Sequence, residues 1–194
     1  MEAIGAIILA AGGSSRLGEP KQFLMYRGET LVRRAVHAAG GGGCAPVVVV
    51  AGAECGRIAL ELAEFDVCVA HHEQWRQGIG SSIRFGVERA LSAAPALDAL
   101  LMMVCDQPLA TAGLVKTLVA ARAETGKPIV ACAYSGALGV PVLFDRALFP
   151  RLASLPDARG AKQLISESPG RVAGVAFREG AIDIDTPSDC MALR

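Results

Sequence analysis

The sequence predicts an α/β fold in three layers, a mostly parallel sheet with helices on both faces. Apolar runs alternate along the chain with stretches of helical periodicity, the order that right-handed strand–helix–strand units produce. Those runs are near-continuously apolar, as in strands covered on both sides. The composition is 52% hydrophobic with 22 glycines and only 5% aromatic residues, which suits Val/Ile/Leu strands joined by tight turns. A chain of 194 residues fits one domain better than two.

In order, the strands are expected at 3–10, 46–51, 67–70, 97–104, 128–133 and 140–144. A helix over 29–39 follows from apolar residues at Leu31, Val32, Ala35, Val36 and Ala39, which repeat with the helical period. A second, over 79–93, follows from Ile83, Val87, Ala90 and Leu91, with Ser81 and Ser82 as candidates to cap its start. Thr111 caps a third, reaching about residue 124. Beyond Pro141 the pieces shorten: helical at 146–153 and 158–167, strand-like at 171–177 and 181–184, then Thr-Pro-Ser-Asp as a helix start. The glycines at 40–43 are a helix exit, too short for a linker, and no repeat divides the chain.

Several functions are excluded at this level. Basic and acidic residues balance at 19 each, so no general attraction to nucleic acid or to an anionic membrane is expected. No apolar window reaches the roughly 18 residues of a membrane span. The N-terminus carries an acid where a secretory signal carries positive charge, and it reads as a buried first strand. The cysteines at 44, 55, 68, 105, 132 and 190 form no Cys-x-x-Cys pair and are expected reduced, in the core of a cytoplasmic protein. His71 and His72 are adjacent and diverge, with no third ligand nearby, so they predict no zinc site.

Ligands of open parallel sheets bind beyond the carboxyl ends of the strands, and the unusual residues fall there. Leu-Ala-Ala-Gly-Gly-Ser-Ser-Arg-Leu-Gly-Glu-Pro-Lys, from Leu9 to Lys21, follows the first strand and is far longer than a turn needs. Gly12 and Gly13 let the backbone bend and approach a ligand. A glycine-rich turn aims N–H groups at an anion, and Ser14 and Ser15 add hydroxyl donors. Arg16 offers a planar fork for phosphate oxygens and Lys21 a compact charge. Neither a Walker loop nor a dinucleotide fingerprint fits: Gly18 is followed by Glu-Pro-Lys, and serines stand where the third-position glycine belongs. The segment instead resembles the signature loop of nucleotidyltransferases, Leu-Ala-Ala-Gly-x-Ser-x-Arg-hydrophobic-Gly-x-x-Lys, which points to a nucleoside triphosphate.

Asp106, in Cys-Asp-Gln-Pro directly after a buried strand, is placed to hold Mg²⁺, which takes one or two carboxylates plus phosphate oxygens and water. Asp183 and Asp185 alternate near the C-terminus, so one faces a site readily; Asp185 is the expected second metal ligand. Ser81 and Ser82, flanked by glycines at a helix start, either read a base edge or simply cap the helix. Trp75 is either a lid or a pocket wall.

Taken together, Leu9–Leu24, WRQGIGSSIRFGV, CDQP, GVPVLF, ARGAKQLI and DIDTPSD resemble the molybdopterin nucleotidyltransferase group, its cytidylyltransferase branch above all. The resemblance spans almost the whole chain. It implies a Rossmann-like nucleotidyltransferase fold, residues 1–110 binding nucleotide and 111–194 the acceptor, and Mg²⁺-dependent transfer of CMP from CTP to the molybdopterin phosphate. It implies that Leu9, Ala10, Ala11, Gly12, Gly13, Ser14, Ser15, Arg16 and Lys21 hold nucleotide, and that Ser81 and Ser82 lie near the base. It further implies Asp106 and Asp185 as metal ligands and Gly160 and Lys162 beside the acceptor, with transient contact to a molybdoenzyme or its chaperone. The Leu-Ala-Ala-Gly form resembles the cytidine type. Leu17 replaces a methionine, and Val140 stands where relatives often carry histidine. The alternatives are a sugar- or other phosphate-acceptor nucleotidyltransferase, and a non-catalytic nucleotide-binding maturation protein.

Overall fold

The computed structural model describes residues 2–12 and 20–182. Its strands and helices in order are β1 (Ile4–Ala10), β2 (Met25–Tyr26), β3 (Glu29–Thr30), α1 (Leu31–Gly41), β4 (Val47–Ala51), α2 (Cys55–Glu61), β5 (Cys68–His71), α3 (Ile79–Ala93), β6 (Ala99–Val104), α4 (Ala112–Thr125), β7 (Ile129–Tyr134), β8 (Ala137–Asp145), α5 (Phe149–Ala153), α6 (Ala161–Ser166) and β9 (Val172–Ala176). Among the described residues seven strands form one sheet in the order β5-β4-β1-β6-β8-β7-β9, and β2 and β3 make a separate hairpin. β5, β4, β1 and β6 are parallel; β8 runs against both β6 and β7, and β9 is parallel to β7.

Alternate residues of each central strand enter different cores, which is why those strands read as continuous apolar runs. Ile8, Val49, Leu101 and Met103 pack with Val32, Val36, Val115 and Leu118 from α1 and α4 on one face. Ile7, Val48, Val50 and Met102 pack with Ile83, Val87, Leu152 and Leu164 from α3, α5 and α6 on the other. Full burial of each such side chain contributes about 1.5–3 kcal/mol. Three layers and a mostly parallel sheet, as the sequence predicts, result. None of the described helices is long and apolar enough to cross a membrane.

The differences are local. The Thr30 hydroxyl accepts from Arg33 N at 3.4 Å, so the first helix begins after Thr30, and Glu29–Thr30 belong to the hairpin. Helix α2 escapes the apolar pattern because only Ile58 of its residues is buried. β7 and β8 are a hairpin whose two-residue turn, Ser135-Gly136, has both φ values positive, at 49° and 72°. Residues 178–181 form a 3₁₀ turn where the sequence suggested the start of a strand. Thr111 caps α4 as expected, accepting from Leu114 N at 3.2 Å, whereas Ser81 and Ser82 cap nothing: the cap of α3 is Gly78, without a side-chain bond. Cys44, Cys105 and Cys132 are free and buried, Cys55 is half-buried, and Cys68, on the edge strand β5, is exposed.

Candidate active site

Parallel pairing brings the carboxyl ends of β1, β4 and β6 to one edge: Leu9 pairs with Val104, and Ala10 with Ala51. A cleft of about 950 Å³ opens there. It is lined by the end of β1 and the residues just after it (Leu9, Ala10, Ala11, Gly12) and by Lys21 and Asp106. These two residues, 85 positions apart in sequence, form an ion pair through Lys21 Nζ and Asp106 Oδ2. Side-chain exposures of 22% and 19% show both groups held at the wall rather than free in solvent.

Next to Lys21 the structure adds a residue the sequence reading passed over. Gln22 is 2% exposed and lines the cleft. Its amide nitrogen donates to the carbonyls of Ala10 at 2.6 Å and Gly12 at 3.1 Å, fixing the peptides that leave β1, while its Oε1 has no hydrogen-bond partner among the described residues. Two further wall residues come from the 3₁₀ turn Trp75–Gln77. Trp75 is a wall, its ring so close to Gly52 that a Cβ there would lie 2.9 Å from it, and the Arg76 guanidinium sits over that ring at 4.8 Å.

The serine pair divides. Ser82 lines the cleft; Ser81 turns away, its Oγ 2.7 Å from His72 Nε2. His72 also stacks on Phe85, with ring centroids 4.7 Å apart. Burial, then the Arg84 and His71 charges, lower the His72 pKa from 6.5, so the ring is held neutral. Ser81 therefore supports the helix start from behind. Gly160 and Lys162 line a second, smaller pocket of about 170 Å³, with Tyr134 and Val140 beside them. Leu9, Ile79 and Val104 border both cavities. Gly13, Ser14, Ser15, Arg16 and Asp185 lie outside the described residues.

Cys105 precedes Asp106 in the cleft wall, but burial and the neighbouring carboxylate push its thiol up to about 12, so it is no nucleophile near neutral pH. Among the described residues no group of three His, Cys, Asp or Glu is arranged around a metal. A lone carboxylate at a strand end, already facing a cation, fits Mg²⁺ or a similar hard ion carried in with phosphates, and does not fit a protein-enclosed metal.

A family model for the MobA-like NTP transferase domain matches residues 6–172. The chain belongs to this family. As a MobA-like protein it is a nucleotidyltransferase, and its sheet is the Rossmann-like sheet of that fold. It is 34% identical over 181 residues to nicotine blue oxidoreductase of Paenarthrobacter nicotinovorans, covering 86% of this chain and 83% of that one. To the molybdenum cofactor cytidylyltransferase of Escherichia coli it is 23% identical over 197 residues, covering 100% and 97%. The Mycobacterium tuberculosis protein Rv0371c has a crystal structure that superposes with a TM-score of 0.84 at 27% identity, covering 99% of this chain and 97% of that one. The same protein, in complex with manganese, gives a TM-score of 0.79 at 25% identity over 98% and 97%.

Proposed function

We propose that this MobA-like protein transfers CMP from CTP to the phosphate of molybdopterin and releases pyrophosphate. The observation that carries the reading is the pairing of Lys21 with Asp106 in the wall of a cleft at the end of β1. An ammonium and a carboxylate at that place suit a triphosphate and the divalent cation that travels with it. The Leu-Ala-Ala-Gly form of the first turn and the E. coli relative, named a cytidylyltransferase, favour CTP and this acceptor.

The acceptor phosphate is already ionised near neutral pH, so no general base is required. Its oxygen attacks the α-phosphorus in line as the bond to pyrophosphate breaks, and the protein's part is positioning and neutralising charge. Backbone N–H groups of the turn from Gly12, with Gly13, Ser14 and Ser15, receive the phosphates. Lys21 exchanges its ion pair with Asp106 for the α-phosphate, and Arg16 stabilises the departing pyrophosphate. Gln22 holds the carbonyls of Ala10 and Gly12 so that the first turn keeps its shape. Ser82 meets the base. Asp106, with Asp185, would hold Mg²⁺, which supplies charge neutralisation at phosphate oxygens when bound; manganese in the Rv0371c complex supports a divalent ion. Gly160 and Lys162 receive the acceptor, so that one domain divides its work between residues 1–110 and 111–194. The protein acts in the cytoplasm and passes its product to a molybdoenzyme or its chaperone.

A matrix of nucleotides (CTP, GTP, ATP) against acceptors (molybdopterin, sugar phosphates) with Mg²⁺, read as pyrophosphate release, tests this. Turnover with CTP and molybdopterin above every other combination is expected. Turnover with a sugar phosphate alone would replace the acceptor, and nucleotide binding with no pyrophosphate from any pair would leave a maturation protein. Oxidation of a reduced nicotinamide cofactor in a parallel arm would move the chain toward the chemistry in its Paenarthrobacter relative's name.

A further inference from the structure

The Gly-Ile-Gly-Ser-Ser-Ile-Arg stretch, residues 78–84, contains more than a base-reading turn needs. Its two glycines and its arginine all engage one other segment, 155–160, which leads directly into Gly160 and Lys162. Gly78 has φ +136°, and a Cβ there would lie 2.3 Å from Asp157 O. At Gly80 a Cβ would lie 2.0 Å from Pro156 O and 2.8 Å from Arg159 O. Only hydrogen at both positions allows the two backbones to touch. Contact is sealed by Gly80 N–H donating to Asp157 O at 2.9 Å. Arg84, one turn further along α3, donates from Nη1 to Leu155 O and from Nη2 to Asp157 Oδ1 at 2.6 Å. Leu155 is buried in the core, so this end of the segment is anchored twice. At the other end Ile79 stands against Gly160, where a Cβ would be 3.4 Å from Ile79 Cγ2.

We propose that Arg84 is a positioning residue which, with Gly80, fastens segment 155–160 to the first turn of α3, so that the cleft wall bearing Ser82 and the segment bearing Lys162 form one rigid unit. The proposal rests on the reading of Gly160 and Lys162 as the acceptor side. The arginine and its aspartate partner are 31% and 48% exposed, so the pair adds little to global stability. Its consequence is geometric. Misplacing one reactant by an ångström costs up to about 100-fold in rate, and two substrates bound by different segments must be held in a common frame. Ile79, 48% exposed yet bordering both cavities, is the point where that frame meets both ligands.

Arg84→Gln and Gly80→Ala attack the fastening from opposite sides. The first removes both guanidinium bonds. The second keeps Arg84, favours helix in α3, and drives a methyl into Pro156 O. In both variants, hydrogen exchange of the peptide spanning 156–165 is expected to accelerate about tenfold or more, while peptides from β1 and β6 keep their wild-type rates. The KM for molybdopterin is expected to rise about tenfold or more, with the KM for CTP within about twofold of wild type. Arg84→Lys, which keeps charge without the fork, is expected to recover only part of the loss. Unchanged exchange in 156–165 overturns the proposal whatever the kinetics, as do two KM values that rise together. If wild-type protein releases no pyrophosphate with any acceptor, the functional reading falls instead, and the exchange result alone decides whether Arg84 fastens the segment.

Discussion

The two halves of the sheet present opposite kinds of pocket to the same edge. In the half built from β5, β4, β1 and β6 the parallel strands deliver their carboxyl ends to a cleft of about 950 Å³ with an ion pair in its wall. In the half built from β8, β7 and β9 the same edge is reached by a hairpin: β7 ends there at Tyr134, and β8, running against β6, begins there. Where this half meets the first lies a pocket of about 170 Å³ with mostly apolar walls and one lysine, to which Tyr134, Gly139 and Val140 contribute from β7 and β8 and Leu9, Met102 and Val104 from β1 and β6. The first pocket carries the paired charges of Lys21 and Asp106, and the second is walled mostly by apolar side chains. Parallel strands followed by loops supply backbone N–H groups and polar side chains. A tight hairpin has its backbone bonds satisfied within the sheet and offers chiefly side-chain surface.

Variants that strike one half and spare the other test this division, and the largest effect belongs on the charged side. Asp106→Asn is expected to lower Mg²⁺-dependent turnover by about 10³-fold with the fold intact; pyrophosphate release near the wild-type rate would end the assignment of the metal carboxylate. Lys162→Ala is the counterpart in the second half. Loss of one charge-assisted contact raises the acceptor KM about 10–100-fold with the nucleotide KM within about twofold, and a shift in the nucleotide KM instead would erase the distinction between halves. Gln22→Leu sharpens the comparison inside the first half. It frees the carbonyls of Ala10 and Gly12, so the Kd for CTP is expected to rise about fivefold, the equivalent of about 1 kcal/mol, and calorimetric titration with CTP reads it.

The smallest effect concerns stability. Buried His72 has its pKa lowered from 6.5 in the folded chain, so the unfolded chain takes up its proton first as the pH falls. The corresponding stability is present above about pH 6.5 and is lost progressively below it, toward the folded value. His72→Gln removes that dependence. Urea midpoints at pH 7 and pH 5.5 should therefore fall less for the variant than for wild type, and equal falls would show that the ring does not titrate in this range.

Much of this was readable from residue order. The apolar runs at 3–10, 46–51 and 97–104 fall on β1, β4 and β6 because burial on both faces keeps charge out of the strands themselves; Asp98 stands just before β6. Asp106 stood out because a charge directly after a buried strand has a short list of uses, and Lys21 because it closes the glycine- and serine-rich loop after the first strand. Helix α2 was not legible, since it buries one residue and carries no periodic signal. The serine pair was legible only as a pair. Which hydroxyl enters the cleft depends on how α3 is rotated against His72, and the need for glycine at 78 and 80 depends on segment 155–160, far along the chain.

The sequence by itself determined the layer order, the strand–helix alternation and the chemical character of the first turn, because hydrophobic period and glycine placement act over neighbouring residues. Only the tertiary structure decided that Lys21 meets Asp106, that Ser81 serves His72 while Ser82 serves the cleft, and that Arg84 holds the segment before Lys162. Those contacts join residues separated by 85, 9 and 73 positions, and their partners are chosen by packing geometry, on which local sequence pattern is silent.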